Sequence, residues 1–387
     1  MGNGVLESGH CVNEHSPRAD PMKILSNNKI EKGFSAIKPE VLKAAPYTLR
    51  HFEAKIKINQ NENPYEMPAP IKVAVEKVMV SRLWSRYPAF FPEELAKRLA
   101  AFSGWKSEGI LVGNGSNELI QALLLITVEK GKRVVFPQPT FTLYKLMTTI
   151  LGGDCNEVYL TADLRFDIPK LLVAVQNADI TILCTPNNPT GTAFTLDELS
   201  QILRAARGLV VVDEAYHEFS RKTAVPLLQE FENLVVLRTF SKAMAMAGLR
   251  VGYLLGHPDI VAEVAKAKLP YNLNVFSMVA AETAVEHFDL LKPQIDLLIE
   301  ERERVFQRLN EIPTVRAYSS EANFIAFETK QAPGLIFDAL YAEGILVRDI
   351  SRYPMLSHFL RISIGTPSEN DAFLEALRRI VTGKVLS

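Results

Sequence analysis

The chain has 387 residues, with 43 Lys and Arg against 44 Asp and Glu and a formal net charge of -1. Its 48% hydrophobic and 22% charged content is that of a globular chain, long enough for one large or two ordinary domains around a substantial core. The near-neutral charge excludes an electrostatic nucleic-acid binder and a polybasic membrane binder, both of which need a positive excess.

In chain order, residues 1–35 are polar, poorly periodic and rich in Asn, Glu and Ser, and are expected to be a flexible extension. The opening "MGNGVLESGH" has no basic stretch followed by an apolar core, so it does not read as a secretory signal, and Leu6 stands where a myristoylation motif needs Ser or Thr. From Ala69 onward the pattern becomes α/β. "IKVAVEKVMVSRL" predicts a helix, "GILVGNGSNELIQALLLITVEKG" a strand, a Gly-containing turn and a helix, and "KRVVFPQPTF" a strand ending in a Pro turn.

"DITILCTPNNPTG" predicts another strand and turn, followed by the helix "TLDELSQILRAARG" with Thr195 as N-cap and Glu198 completing a capping box. "LVVVDEAY" and "NLVVLR" are two further buried strands. Strands alternating with helices predict a mostly parallel sheet sandwiched by helices.

After about residue 280 the character changes. "EHFDLLKPQIDLLIEERERVFQRLNEI" predicts a long amphipathic helix, kinked at Pro293 if continuous. Short strands follow ("ANFIAFET", "ILVRDI", "FLRISIG"), then a terminal helix "SENDAFLEALRRIV" capped by Ser368 or Asn370. This is a smaller α+β domain.

The cysteines Cys11, Cys155 and Cys184 are odd in number and far apart, and the seven histidines form no HExxH pair. Neither a disulfide framework nor a metal site is indicated. With no apolar run of membrane-spanning length, a cytoplasmic protein is expected, with no membrane or nucleic-acid partner.

Ligands of open parallel sheets bind at the carboxyl ends of the strands. After "GILV" come Gly113, Asn114, Gly115, Ser116 and Asn117; after "TILC" comes Thr185 to Gly191; after "LVVV" come Asp213, Glu214 and Tyr216; after "LVVL" come Thr239, Ser241 and Lys242. A helix opening at Ser116 offers amide N–H groups to an anion, with Thr239, Ser241 and Arg250 as further phosphate contacts. Asp213, at the mouth of an apolar strand, requires a cationic or N–H partner, and a nearby lysine can form an imine with an aldehyde. Phosphate, protonated ring nitrogen and aldehyde together describe pyridoxal 5′-phosphate (PLP). Each piece alone has a plainer reading. The Gly turn can be ordinary βα chemistry, and Lys242 alone can be a surface lysine. "LVVVDE" resembles the acidic strand of ATPases, but no phosphate-binding loop accompanies it.

The ordered series "GNGSNE", "PTF", "NNPTG", "DEAY", "FSKAMAMAGLRVGY" and "FLRISIG" resembles the fold-type-I PLP-dependent aminotransferases over roughly residues 40–385. "NENP" at Asn61 to Pro64 and "RYP" at Arg86 to Pro88 make it similar to the histidinol-phosphate group of that family. The resemblance implies the PLP-dependent transferase fold, with a large PLP-binding domain over residues 66–280 and a small domain from 36–65 and 281–387. It implies Lys242 as the lysine that joins the cofactor, Asp213 on the pyridine nitrogen, and Asn188 and Tyr216 on the phenolic oxygen. Ser116, Asn117, Ser241 and Arg250 would hold the phosphate, and Phe141 would stack on the ring where many relatives carry Tyr. Tyr87 would reach the cofactor of a second subunit, implying a homodimer with shared sites. Arg361 would grip the substrate carboxylate and Arg348 its far end, with Asn188 also near the substrate.

The implied reaction is transfer of an amino group between a small-molecule amino donor and a keto acid, on histidinol phosphate with glutamate and 2-oxoglutarate. The alternatives are an aromatic amino-acid aminotransferase, a PLP-dependent phosphothreonine decarboxylase and a non-catalytic PLP-binding regulator. For the last, the chain offers no basic helix as a DNA-binding element. Alternation along "FLRISIG" leaves a solvated strand face open for Arg361. His217 is expected to be structural, Met244 and Met246 to be packing, and the bend at "NENP" to cap a turn.

Overall fold

The computed structural model describes residues 31–46 and 52–383. Most of the N-terminal extension therefore lies outside the described residues. Met1–Lys43 and Ala44–Ser387 are separate compact units; the first shows two short helices, Glu31–Phe34 and Pro39–Lys43.

The second unit carries thirteen strands among its described residues: β1 Ile56–Lys57, β2 Ile110–Gly113, β3 Arg133–Gln138, β4 Asp154–Tyr159, β5 Ile180–Cys184, β6 Leu209–Asp213, β7 Leu234–Thr239, β8 Gly252–Gly256, β9 Val315–Ala317, β10 Phe324–Thr329, β11 Ile345–Leu346, β12 Arg348–Asp349 and β13 Phe359–Ser363. Seven of them form one sheet in the order β2-β8-β7-β6-β5-β3-β4. β8 runs antiparallel to both of its neighbours, and the remaining pairs are parallel, so the carboxyl ends of β2, β5, β6 and β7 share one edge. Sequence reading did not single out β8. Its run "GYLLG" follows the lysine segment so closely that it reads as a continuation of it.

The sheet is apolar on both faces, as a sheet covered by helices requires. Along β6, Val210 and Val212 enter one core cluster and Val211 the other; along β7, Leu234 and Val236 alternate with Val235 and Leu237. Helices Ser116–Thr127, Leu143–Leu151 and Pro258–Ala265 cover one face, through Leu119, Leu123, Tyr144 and Val261. Helices Ala69–Ser81, Glu93–Ser103, Ile168–Val175, Leu196–Ala205 and Val275–Glu286 cover the other. Thr195 and Glu198 form the expected capping box.

A four-stranded sheet, β12-β13-β10-β9, is antiparallel throughout. It packs on helices Lys292–Asn310, Pro333–Ala342 and Pro367–Thr382 through a third cluster that includes Phe324, Phe327, Leu360 and Phe373. β1 pairs in parallel with β11, which brings residues 56–58 beside this α+β layer.

Two helix expectations need correction. The long helix near Pro293 is broken rather than kinked: one helix ends at Glu286, a 3-10 turn spans Phe288–Leu290, and a new helix starts at Lys292 with Pro293 in its first turn. Proline is tolerated there because the first N–H groups of a helix have no intrahelical acceptor. The last helix is capped by Thr366, whose hydroxyl and Glu369 form a capping box, rather than by Ser368 or Asn370. Asn370 is buried instead; it accepts from the Gly365 N–H at 2.9 Å and donates to Glu301 at 2.8 Å.

Candidate active site

A cavity of about 230 Å³ opens at the carboxyl edge of the seven-stranded sheet, below the α+β layer. Of the residues expected from sequence, Ser116, Asn117, Phe141, Asn188, Asp213, Tyr216, Thr239, Ser241, Lys242, Arg250, Arg348 and Arg361 all line it.

Asp213 ends β6 and is buried. Its Oδ2 accepts from the Tyr144 hydroxyl at 2.6 Å and its Oδ1 from the Ala215 N–H at 3.1 Å. Burial pushes its pKa up to about 6, and those two donors hold it from rising further. Cys184, opposite Asp213 in register on β5, has its thiol pushed up by burial and then by that carboxylate. It lines the cavity as a neutral thiol.

Lys242 lies half-buried, three residues past the end of β7. Its Nζ donates to the Gln60 carbonyl at 3.1 Å and sits 5.9 Å from the centre of the Tyr216 ring. Burial and then the Arg361 charge lower its pKa to about 8. The hydroxyl of Tyr216 accepts from Asn61 Nδ2 at 3.1 Å, and burial pushes its pKa up.

The cradle of small residues and hydroxyls is tight. Thr239 donates to Ser241 Oγ at 3.0 Å, and Arg250 Nη1 reaches the same oxygen at 3.1 Å. Gly115 precedes helix Ser116–Thr127 with φ 75°, and a Cβ there would fall on Arg250 Nη2. A Cβ on Gly252 would fall on the Ser116 amide nitrogen. Two backbones and a guanidinium thus meet where the helix presents its N–H groups, an arrangement that can hold an anion.

Arg361 is buried on β13, so the solvated-face alternative does not hold. It donates to Asn188 Oδ1 and, at 2.9 Å, to the Asn59 carbonyl, and lies over the Phe324 ring at 5.1 Å. Ser363, two residues on, faces the same way and accepts from the Asn61 N–H at 2.7 Å. Arg348, on β12, stands opposite Arg361 in register.

Some expectations fall elsewhere. Glu214 turns away from the cavity into a buried ion pair with Arg238 at 3.0 Å. Tyr87 lies outside the cavity, 82% exposed, stacked on Tyr271 at 4.5 Å between ring centres. His217 is 3.2 Å from Glu218, also outside it.

Sequence reading missed Tyr144, Cys184, Tyr353 and the run Asn59-Gln60-Asn61 as cavity residues. "NENP" does more than cap a turn. Asn63 forms that turn with the Tyr65 N–H at 3.0 Å. Asn61, at φ 56°, ties Tyr216 to Ser363, while Gln60 holds Lys242. The Asn-rich run "NQNEN" was the available signal, since Asn enters the left-handed region more readily than most residues.

A lysine of lowered pKa, a buried carboxylate, an anion cradle and a buried guanidinium on one cavity define a group-transfer site of the aminotransferase kind. The chain belongs to the aminotransferase class I and II family, which it matches over residues 53–377. It is 36% identical to the histidinol-phosphate aminotransferase of Prosthecochloris aestuarii, over 89% of this chain and 97% of that protein. It is 37% identical to that of Chlorobium phaeovibrioides, over 86% and 92%. The solved histidinol-phosphate aminotransferase of Sinorhizobium meliloti, in complex with pyridoxal-5′-phosphate, matches with a TM-score of 0.80 at 24% identity, covering 90% of this chain and 98% of that one. That last likeness bears on the fold.

Proposed function

We propose that this chain is a PLP-dependent transaminase acting on histidinol phosphate, with glutamate and 2-oxoglutarate as the second pair, in histidine biosynthesis. The observation that carries it is the convergence of Lys242, Asp213 and Arg361 on one cavity beside the Ser116, Ser241 and Arg250 cradle. The names of the curated relatives support the choice of substrate.

The residues fit the cofactor. Ser116, Asn117, Thr239, Ser241 and Arg250 would hold its phosphate, Asp213 its ring nitrogen, Asn188 and Tyr216 its phenolic oxygen, and Phe141 its ring face. When bound, PLP supplies an aldehyde for amines and a ring that accepts the electron pair left by a departing Cα proton. Asp213 would keep a proton on the ring nitrogen, because an ionised carboxylate favours the charged partner. Lys242, with a pKa near 8, is partly neutral at working pH and can take up and return the Cα proton. Arg361 orients the substrate by its anionic group. Histidinol phosphate has a phosphate ester where glutamate has its α-carboxylate, and Arg348 opposite Arg361 gives the larger anion a second guanidinium.

The reading includes a homodimer in the cytoplasm. Tyr87 does not line its own cavity; it stacks on Tyr271, which meets Phe90 edge-on, and Leu83, Trp84, Phe90, Phe91, Leu269 and Tyr271 in the same two segments are exposed. Such a patch suits a second copy, whose site Tyr87 would complete. An odd cysteine count with free Cys155 and Cys184 is in keeping with a reducing compartment. A division near residues 66 and 280 is likewise proposed, supported by the pairing of β1 with β11.

The test is turnover of histidinol phosphate against phenylalanine and tyrosine, each with 2-oxoglutarate. A preference for histidinol phosphate in kcat/KM is expected. Equal or better turnover of the aromatic amino acids would replace the substrate and leave the chemistry.

A further inference from the structure

Tyr144 is the most deeply placed polar side chain at the site, fully buried on helix Leu143–Leu151, and no role above requires it. Its hydroxyl donates to Asp213 Oδ2 at 2.6 Å. Just before the helix, Phe141 lines the cavity, edge-on to Tyr144 at 5.6 Å and 87°. We propose that Tyr144 is a positioning residue that holds the Asp213 carboxylate ionised and aimed into the cavity. The segment 141–144 then supports the cofactor twice, by the Phe141 ring and, through Asp213, by the Tyr144 hydroxyl. This rests on the PLP reading above.

Asp213 has two donors, Tyr144 on Oδ2 and the Ala215 N–H on Oδ1. From β5 it faces the Cys184 thiol, kept neutral by burial. Its chain neighbour Glu214 is committed to Arg238, Tyr216 is held by Asn61, and Lys242 and Arg361 lie across the cavity. Burial raises the carboxyl's pKa, and the Tyr144 hydrogen bond is the largest opposing influence. The kind of donor matters. An arginine in its place would form an ion pair with the carboxylate and cancel the negative field meant for the ring nitrogen. A phenol donates without carrying charge, and this one stays protonated, since burial and the Asp213 charge push its own pKa well above the usual value. It therefore favours the ionised carboxylate while leaving its charge to act on the ligand.

Tyr144→Phe removes one oxygen and keeps the packing. In the full-length protein without PLP, labelled with carboxyl-carbon-enriched aspartate, the Asp213 NMR titration midpoint should rise by about one to two pH units. With PLP loaded, kcat at neutral pH should fall about tenfold with KM for glutamate little changed. In an Asp213→Asn background the same substitution should lower kcat no further. A midpoint that stays in place, or an equal loss of kcat in both backgrounds, would overturn the proposal. The NMR arm needs no cofactor. If the wild-type protein failed to fix PLP on Lys242 under borohydride, the function would fall while this titration kept its own outcome.

Discussion

Arg348 and Arg361 stand directly opposite each other, in register on antiparallel β12 and β13, and both line the cavity. Like charges so placed repel each other. A phosphate between them would turn that repulsion into binding, which an α-carboxylate would do less fully. Arg348→Met is therefore expected to raise KM for histidinol phosphate by roughly ten- to a hundredfold and to change KM for glutamate much less. Steady-state kinetics on both substrates check it, and equal effects on the two would remove Arg348 from substrate selection.

Arg361→Lys keeps the charge but loses the planar fork that reaches Asn188 and the Asn59 carbonyl together. A drop of about 10–100-fold in kcat/KM is expected for both substrates. A solvated strand residue would show no such loss.

Lys242→Ala should abolish turnover and leave no cofactor fixed to the chain after borohydride reduction, read by mass spectrometry. Turnover at the wild-type level in this variant would refute the chemistry outright.

The lowered Lys242 pKa also has a stability consequence in the cofactor-free protein. A lysine shifted from 10.5 to about 8 binds fewer protons folded than unfolded between those values. Stability from this group therefore rises with pH across that window, and below pH 8 the charged amine is a net cost. Lys242→Met should raise stability at pH 7 by on the order of 1–2 kcal/mol, reduced from the full shift because water reaches the cavity. The gain should vanish above pH 10.5. Denaturant melts at the two pH values test this, and a pH-independent gain would point to packing instead.

Gly252→Ala and Gly115→Ala are expected to differ. The first drives a methyl into the Ser116 backbone nitrogen; the second meets the movable end of Arg250 but at φ 75°. Gly252→Ala should weaken PLP binding more, because a backbone cannot move aside without displacing the helix start. Fluorescence titration with PLP gives the order, and a weaker effect at Gly252 would argue against the close approach.

Much of the site could be read from the chain because its chemistry is local. A turn after each strand places its polar residues at the strand's carboxyl end, so "GNGSN", "NNPTG", "DEAY" and "TFSK" located Ser116, Asn188, Asp213 and Lys242 directly. The capping box at Thr195 was equally legible, since it spans only four residues. Tyr144, Gln60 and the pairing of Arg348 with Arg361 were not. Each depends on a partner between 13 and 182 positions away, and no periodicity records such a meeting. β8 escaped for a related reason, as its place between β2 and β7 is a property of the sheet rather than of "GYLLG". The residue types and their order determined the chemistry this protein can perform, whereas only the folded chain decided which carbonyl holds the lysine and which hydroxyl holds the aspartate. Short-range sterics and hydrophobic alternation are written in neighbouring residues; desolvation and hydrogen bonding inside a cavity are set by whatever the fold brings together.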